Sequence, residues 1–142
     1  MRVQITGLES SLKKLKDNYN AAAQEIDAEM AATSENITTT AKQILPANLG
    51  QLRTSLYAKG SKFNYEVGSR LDYAAYIEFG TGPYAAKYVP SLEKEWQDYA
   101  ATFKKSKPGN TFQHPYFYPS IKSWTIVLYD NILRIIKKYE RL

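Results

Sequence analysis

The sequence predicts an α+β fold, in which a long N-terminal helix and a C-terminal helix pack on a small antiparallel β-sheet, with a short helical insertion. Two patterns and the composition support this prediction. Apolar residues recur at three- and four-residue spacing near both ends of the chain, and residues 63–69 alternate between apolar and polar side chains. With 142 residues, 44% of them hydrophobic and 23% charged, the chain has the size and composition of a single domain, residues 1–142.

The first predicted helix spans residues 8–45, where apolar residues line one face. Pro46 ends it, because proline disfavours helical backbone in the residue before it. Unbroken, this helix would be about 57 Å long, more than the roughly 40 Å expected for the whole domain. We therefore expect it to project or to break, most naturally at residues 33–36, whose types favour helix caps. Its apolar stripe fits the protein's own core or a partner helix, and we favour the core.

The next segment, residues 52–69, predicts a β-hairpin. Residues 52–59 and 63–69 form its two strands, and a short connection that contains Gly60 is typical of a hairpin. Two strands alone are marginal in water, so we expect them to pack on a helix or to extend a sheet.

Residues 72–79 predict one or two helical turns, with a third strand as the alternative. Asp72 is a plausible N-cap and Gly80 a plausible C-cap. The insertion, residues 84–113, then contains an amphipathic stretch from Leu92 to Phe103 that predicts a helix, with Ser91 placed to cap it.

The last predicted helix spans residues 119–141, and Pro119 suits its first turn. Two apolar stripes run along this helix. The second stripe consists of Ile126, Tyr129, Leu133 and Ile136. A helix that is apolar on most sides is buried on most sides, so we expect the N-terminal helix or a neighbouring chain to cover it.

No catalytic constellation emerges from the sequence. The chain has no cysteine, and its single histidine, His114, lies in an aromatic stretch where packing or hydrogen bonding is the expected role. Glu78 is the most notable acid; we expect an arginine such as Arg53 or Arg70, or a backbone amide of the Gly80 turn, to bind it. We predict no enzyme activity, cofactor or metal, and no membrane span, since no apolar run reaches about 18 residues.

The basic residues that give the chain its net charge of +5 are in excess mainly towards the C-terminus. Residues 1–44 carry five basic and six acidic groups, whereas residues 115–142 carry five and two. A cluster at Lys104, Lys105 and Lys107 favours a helix C-terminus, although a basic nucleic-acid-binding domain is the alternative function that this charge allows. Twelve tyrosines suit half-buried positions, which are common in protein–protein interfaces.

Three stretches of the sequence, in this order along the chain, resemble the sequence pattern of a known protein family. The first runs from Pro46 to Gly50-Gln51-Leu52-Arg53-Thr54-Ser55, the second is Tyr73-Ala74-Ala75-Tyr76-Ile77-Glu78-Phe79-Gly80-Thr81, and the third is His114-Pro115-Tyr116-Phe117-Tyr118-Pro119. This order resembles the minor tail, or tail-completion, proteins of long-tailed bacteriophages, which act in head–tail joining. The chain departs from that pattern at Leu49, where Thr or Ser often precedes the glycine, and in the long insertion at residues 84–113.

The resemblance implies a structural role in the phage neck or tail. Such proteins form a ring, usually sixfold, that completes the tail or joins it to the head. The implied partners are further copies of the chain, other neck proteins, a tail-tube or tail-terminator protein, and the passing genomic DNA. The implied location is the virion, after assembly in the host cytoplasm.

The resemblance also marks residues by position. The family-motif residues are Pro46, Gly50, Leu52, Arg53, Ser55, Tyr73, Ala74, Tyr76, Glu78, Phe79, Gly80, Thr81, Pro115, Phe117 and Pro119. The candidate interface residues are Glu78, Lys104, Lys105, Lys107, Trp124 and Tyr129.

Overall fold

A three-stranded antiparallel sheet and two long helices form the framework of the protein in a computed structural model, which describes residues 1–6, 20–103 and 109–140. This architecture confirms the predicted α+β fold. The described elements are β1 (Arg2–Ile5), α1 (Asn20–Ile44), α2 (Gly50–Ser55), β2 (Leu56–Ser61), β3 (Asn64–Ser69), α3 (Ala74–Phe79), α4 (Gly82–Tyr88), α5 (Lys94–Ala101) and α6 (Phe117–Glu140). Two short 3-10 turns lie at Ala47–Leu49 and Val89–Ser91.

Helix α1 is continuous from Asn20 to Ile44, so of the two alternatives for the predicted helix, a break at residues 33–36 does not occur. The polar side chains there bond back to the helix instead of interrupting it. Ser34 Oγ donates to the Ala31 carbonyl at 2.7 Å, and Thr38 Oγ1 donates to the Ser34 carbonyl at 3.0 Å. Such bonds let buried Ser and Thr remain inside a helix. Residues 8–19 of the predicted helix lie outside the described residues.

The hairpin is confirmed, but its first strand begins at Leu56 rather than at residue 52, because residues 50–55 form the short helix α2. The connection is a two-residue turn in which Lys62 and Phe63 both have positive φ, at 49° and 67°. This resembles a type I′ turn, which matches the twist of a hairpin. Asp27 of α1 holds the turn, because its Oδ1 accepts a hydrogen bond from the Phe63 amide at 2.9 Å.

Strand β1 completes the sheet by pairing with β3, which gives the order β1-β3-β2. The sequence did not predict this strand, since four residues are too few for a periodic signal. Tyr65 and Val67 of β3 point towards the helices and are buried, whereas Glu66 lies on the other face with Tyr57 and Arg2. The strand alternation seen in the sequence therefore separates the two faces of the sheet.

The core lies between the sheet and the two long helices. Its residues include Ile26, Met30, Ile37, Ala41, Leu52, Leu56, Val67, Tyr116, Phe117, Leu128 and Ile132. Helix α6 contributes its first apolar stripe to this core, and of the second stripe only Ile136 packs against it. Trp124 is partly buried beside it, and its Nε1 donates to Thr40 Oγ1 at 2.8 Å.

The insertion packs on the first strand. Helix α5 is shorter than predicted, and Ser91 does not cap it, because its Oγ donates to the Tyr88 carbonyl at 2.6 Å. Tyr99 of α5 reaches Arg2, where its hydroxyl accepts from the backbone amide at 2.9 Å and donates to the carbonyl at 2.7 Å. The insertion thereby covers backbone groups at the outer edge of β1.

We expect Tyr99→Phe to lower the free energy of unfolding by about 0.5–1.5 kcal/mol, because the change removes both hydrogen bonds to Arg2. Hydrogen exchange at the Arg2 amide should become faster. Tyr84→Phe, at an exposed tyrosine of α4, is the matched control. Unchanged exchange at Arg2 would show that the insertion does not hold the strand.

Candidate functional site

The centre of the family-motif region is the carboxylate of Glu78 on α3, whose side chain is completely buried, at 0% exposed. Glu78 Oε1 accepts hydrogen bonds from the backbone amides of Tyr116 at 3.1 Å and Phe117 at 2.7 Å. Glu78 Oε2 accepts one from the Tyr118 amide at 3.2 Å. All three amides lie at the start of α6, so Glu78 caps this helix from a distant part of the chain.

The local sequence explains why the cap comes from elsewhere. The first amides of a helix have no partner within the helix. The residues that lead into α6, from His114 to Tyr116, include none of the Ser, Thr, Asp or Asn that usually supply an N-cap. A carboxylate is also favoured there because the N-terminus of a helix carries partial positive charge.

Further hydrogen bonds join α3 to the segment that leads into α6. The His114 amide donates to the Ile77 carbonyl at 2.7 Å. The buried Tyr116 hydroxyl donates to the Ala74 carbonyl at 2.7 Å. Hydrogen bonds at Ala74 and Ile77, which precede Glu78, therefore also hold α3 against the start of α6.

The environment of Glu78 opposes its ionisation. Burial raises the pKa of Glu78 to about 7, while the amides of Phe117, Tyr116 and Tyr118 act in the opposite direction. A pKa that is higher in the folded state than in the unfolded chain means that the folded state binds the proton more tightly. The stability that this group contributes is therefore full below about pH 4.5 and falls as the pH rises towards about 7.

The prediction that Arg53 or Arg70 binds Glu78 is wrong. Arg53 Nη2 donates instead to the Leu45 carbonyl at 2.8 Å, at the C-terminal end of α1, and Arg70 lies over the Tyr57 ring at 5.6 Å. The Gly80 amide donates to the Tyr76 carbonyl rather than to the carboxylate. The interface role given to Glu78 is also corrected, because a fully buried side chain offers no surface to another subunit.

Gly80 ends α3 in a conformation that other residues rarely adopt, with φ of 76°. A Cβ built there would lie 2.9 Å from the Thr111 carbonyl oxygen and 3.1 Å from the Gln113 amide nitrogen. The next residue continues this contact, because the Thr81 amide donates to the Thr111 carbonyl at 2.9 Å and Thr81 Oγ1 accepts from the Thr111 amide at 2.8 Å. The turn after α3 is thus packed against residues 111–113.

The remaining motif residues fall into two groups. Leu52, Ala74, Phe79 and Phe117 are buried, and Ser55 Oγ lies 2.6 Å from Ser69 Oγ. Pro46, Pro115 and Pro119 are half-buried at the ends of helical segments, and Gly50 has ordinary helical angles, with φ of −60°. The buried residues of this set contribute to the core rather than to a surface.

Tyr73 and Tyr76 differ, because they line an open groove of about 400 Å³ beside α3. The groove is lined by Asn48, Leu49, Gln51, Tyr73, Tyr76, Ile77, Thr81, Gly109 and Thr111. Three of these residues, Tyr73, Tyr76 and Thr81, are family-motif residues. The groove itself was not predictable from the sequence, because three segments that are distant in the chain build it.

A second surface lies on α6, on the side away from the core. Ile126, Tyr129 and Leu133 are 60%, 54% and 53% exposed, and we call them the ridge. These are three of the four residues of the predicted second stripe; the fourth, Ile136, packs against the core. Tyr129 is a candidate interface residue that the structure places at the surface. Lys104, Lys105 and Lys107 lie outside the described residues.

In residues 1–6, 20–103 and 109–140, no three His, Cys, Asp or Glu side chains come together as metal ligands. No described helix is long and apolar enough to cross a membrane.

The fold and this centre define a small α+β protein in which a buried carboxylate caps a long helix, beside a groove and an exposed apolar ridge. The family model described as "Bacteriophage HK97-gp10, putative tail-component" matches residues 7–80, or 74 of the 142 residues, and the chain belongs to this family of bacteriophage tail components. The match includes Glu78 and Gly80, whereas α6 lies beyond it. Comparisons with curated proteins and with solved structures gave no match. The resemblance to phage tail proteins is therefore confirmed.

We expect Glu78→Gln to destabilise the isolated protein by about 1–3 kcal/mol at pH 5, because the amide group would face the Tyr118 N–H and leave a buried donor unsatisfied. The advantage of the natural chain over the variant should decrease as the pH rises from 5 to about 7 and then level off. Chemical denaturation of both chains between pH 5 and 8 measures this difference. Other titrating groups are common to both chains and cancel.

The control for this comparison is Glu35→Gln, at an exposed position of α1, which should leave stability nearly unchanged. A difference in the free energy of unfolding between the natural chain and Glu78→Gln that increased with pH would contradict this prediction. It would mean that the backbone amides lower the pKa of Glu78 more than burial raises it.

Gly80→Ala should lower the free energy of unfolding by about 1–3 kcal/mol, because alanine is strained at this φ and its Cβ approaches the Thr111 carbonyl. Gly50→Ala is the matched control. Gly50 has helical angles and no atom within 4 Å of the added Cβ, so this change should be neutral or stabilising by about 0.4–1 kcal/mol. Thermal denaturation distinguishes the two, and equal effects would argue against a special role for Gly80.

Proposed function

We propose that this tail component acts in the phage neck or tail as part of a ring of identical subunits, of which we expect six. In this role it completes the tail or joins it to the head. The ring contacts other neck proteins and a tail-tube or tail-terminator protein, and the genomic DNA passes through it. The protein works through its interfaces rather than through catalysis.

The exposed ridge on α6 is the observation that most supports this proposal. Its three large side chains lie on one face of a helix whose opposite face is buried in the core. Contiguous apolar patches of this kind mark interaction sites in soluble proteins. Membership of a family of tail components makes another virion subunit the natural partner for such a patch.

The alternative, a basic nucleic-acid-binding domain, has less support. Two of the basic residues of α6 are engaged within the chain, since Lys122 Nζ lies 2.7 Å from Glu93 Oε1 and Lys138 Nζ lies 2.7 Å from Glu25 Oε1. Exposed apolar side chains lie between them on the same helix. A surface of this composition favours a protein partner over a phosphate backbone.

Native mass spectrometry of the purified chain, alone and mixed with the tail-tube or portal-adaptor protein of the same phage, tests this proposal. We expect a closed assembly of several copies in at least one of these samples. A strict monomer at high concentration in every mixture would contradict it. Tight, strongly salt-dependent binding to DNA by such a monomer would favour the alternative.

A further inference from the structure

The described residues form two exposed surfaces that share no residue. One is the ridge on α6, formed by Ile126, Tyr129 and Leu133. The other is the groove beside α3, with apolar walls from Leu49 and Ile77 and aromatic walls from two tyrosines. One surface is convex because its side chains project from a helix, and the other is concave.

The two surfaces match in charge. None of the nine described residues that line the groove is Asp, Glu, Lys, Arg or His, although the chain has 19 basic and 14 acidic residues. The ridge is likewise uncharged at its three positions, whereas Asp130 and Arg134 lie beside it on α6. The described lining of the groove therefore offers no opposite charge to a phosphate or an acidic peptide, and it suits apolar and aromatic side chains. Its Asn, Gln and Thr groups can also bond a tyrosine hydroxyl.

The groove is also large enough for a side chain of the ridge. It is open and has a volume of about 400 Å³. The ridge side chains are each more than half exposed, and an aromatic side chain such as that of Tyr129 buries on the order of 150–250 Å² when it is covered. A buried aromatic side chain of this kind is a common anchor at the centre of an interface. One such side chain fits the groove, and the other ridge side chains would lie against its rim.

We propose that the ridge of one copy of this chain occupies the groove of the next copy. Such a contact joins two different surfaces, so it is heterologous, and every copy in a chain of contacts uses one ridge and one groove. A heterologous contact that closes generates a ring. Pairing of two ridges about a twofold axis would leave both grooves empty and would stop at a dimer. This proposal rests on the proposed ring and names the two surfaces that build it.

Two variants test the two surfaces independently. Leu133→Asp places a charge on the ridge, and Gln51→Arg places a long charged side chain in the groove. Both positions lie at the surface, so the fold should be retained. The controls are Ser123→Asp on α6 outside the ridge and Gln24→Arg on α1, both at exposed positions.

The experiment is native mass spectrometry of each variant and of an equimolar mixture of the two, under the conditions in which the natural chain forms its ring. Each variant alone should lose the ring and remain monomeric, while both controls keep it. The mixture should form a one-to-one dimer and stop there. The intact ridge of Gln51→Arg can enter the intact groove of Leu133→Asp, whereas the other two ends are blocked.

Each contrary outcome has a distinct meaning. Rings formed by either variant alone, dimers formed by Gln51→Arg alone, or a mixture that stays monomeric would overturn the ridge-to-groove contact while leaving the ring possible. A natural chain that never oligomerises, alone or with its neck and tail partners, would overturn the proposed function as well.

Discussion

The hydrogen bonds from the first amides of α6 to the buried carboxylate of Glu78 are the interaction on which the rest of the structure depends. They join α3 to a helix that begins 39 residues further along the chain at Phe117. Helix α6 then presents one stripe to the core and the ridge to the outside. The position of the ridge relative to α3 and the groove beside it is therefore set at this cap.

The arrangement around the cap has a physical cost. Removing a carboxylate from water is unfavourable, and burial raises the pKa of Glu78 to about 7. Three amide donors and the partial positive charge of the helix N-terminus offset part of this cost. Because an unsatisfied carboxylate or an uncapped helix would each be costly, the two segments are stable mainly in this one arrangement. The Gly80 turn, two residues beyond Glu78, is packed against Thr111 and holds the C-terminal end of α3 in the same arrangement.

Periodicity was enough to predict the elements that are long. The spacing of Ile26, Met30 and Ile37 indicated α1, and the alternation around Tyr65 indicated β3. Periodicity did not predict the short elements β1 and α2, because they have only four and six residues and their structure depends on tertiary pairing. Of the two alternatives for the first helix, a break at residues 33–36 does not occur, since Ser34 and Thr38 return their hydrogen bonds to the helix.

The sequence indicated which residues matter at the site, but not what they contact. The motif indicated Glu78 and Gly80, and the helical spacing indicated Tyr129. The partner of Glu78 could not be read from the sequence, because backbone amides are present at every residue and leave no compositional signal. For the same reason, the sequence did not indicate that the main chain of Thr111 would pair with Thr81. The groove was hidden because its walls come from three distant segments.

The ionisation of Glu78 in the folded protein tests the central claim most directly. Carbon-detected NMR can follow its side-chain carboxyl resonance with pH, while the amide proton of Phe117 reports the hydrogen bond from the other side. We expect both signals to titrate together with a midpoint near pH 7, because the buried carboxylate is bound by that amide. A midpoint at or below 4.5, or a Phe117 amide that does not respond to the titration, would contradict the account.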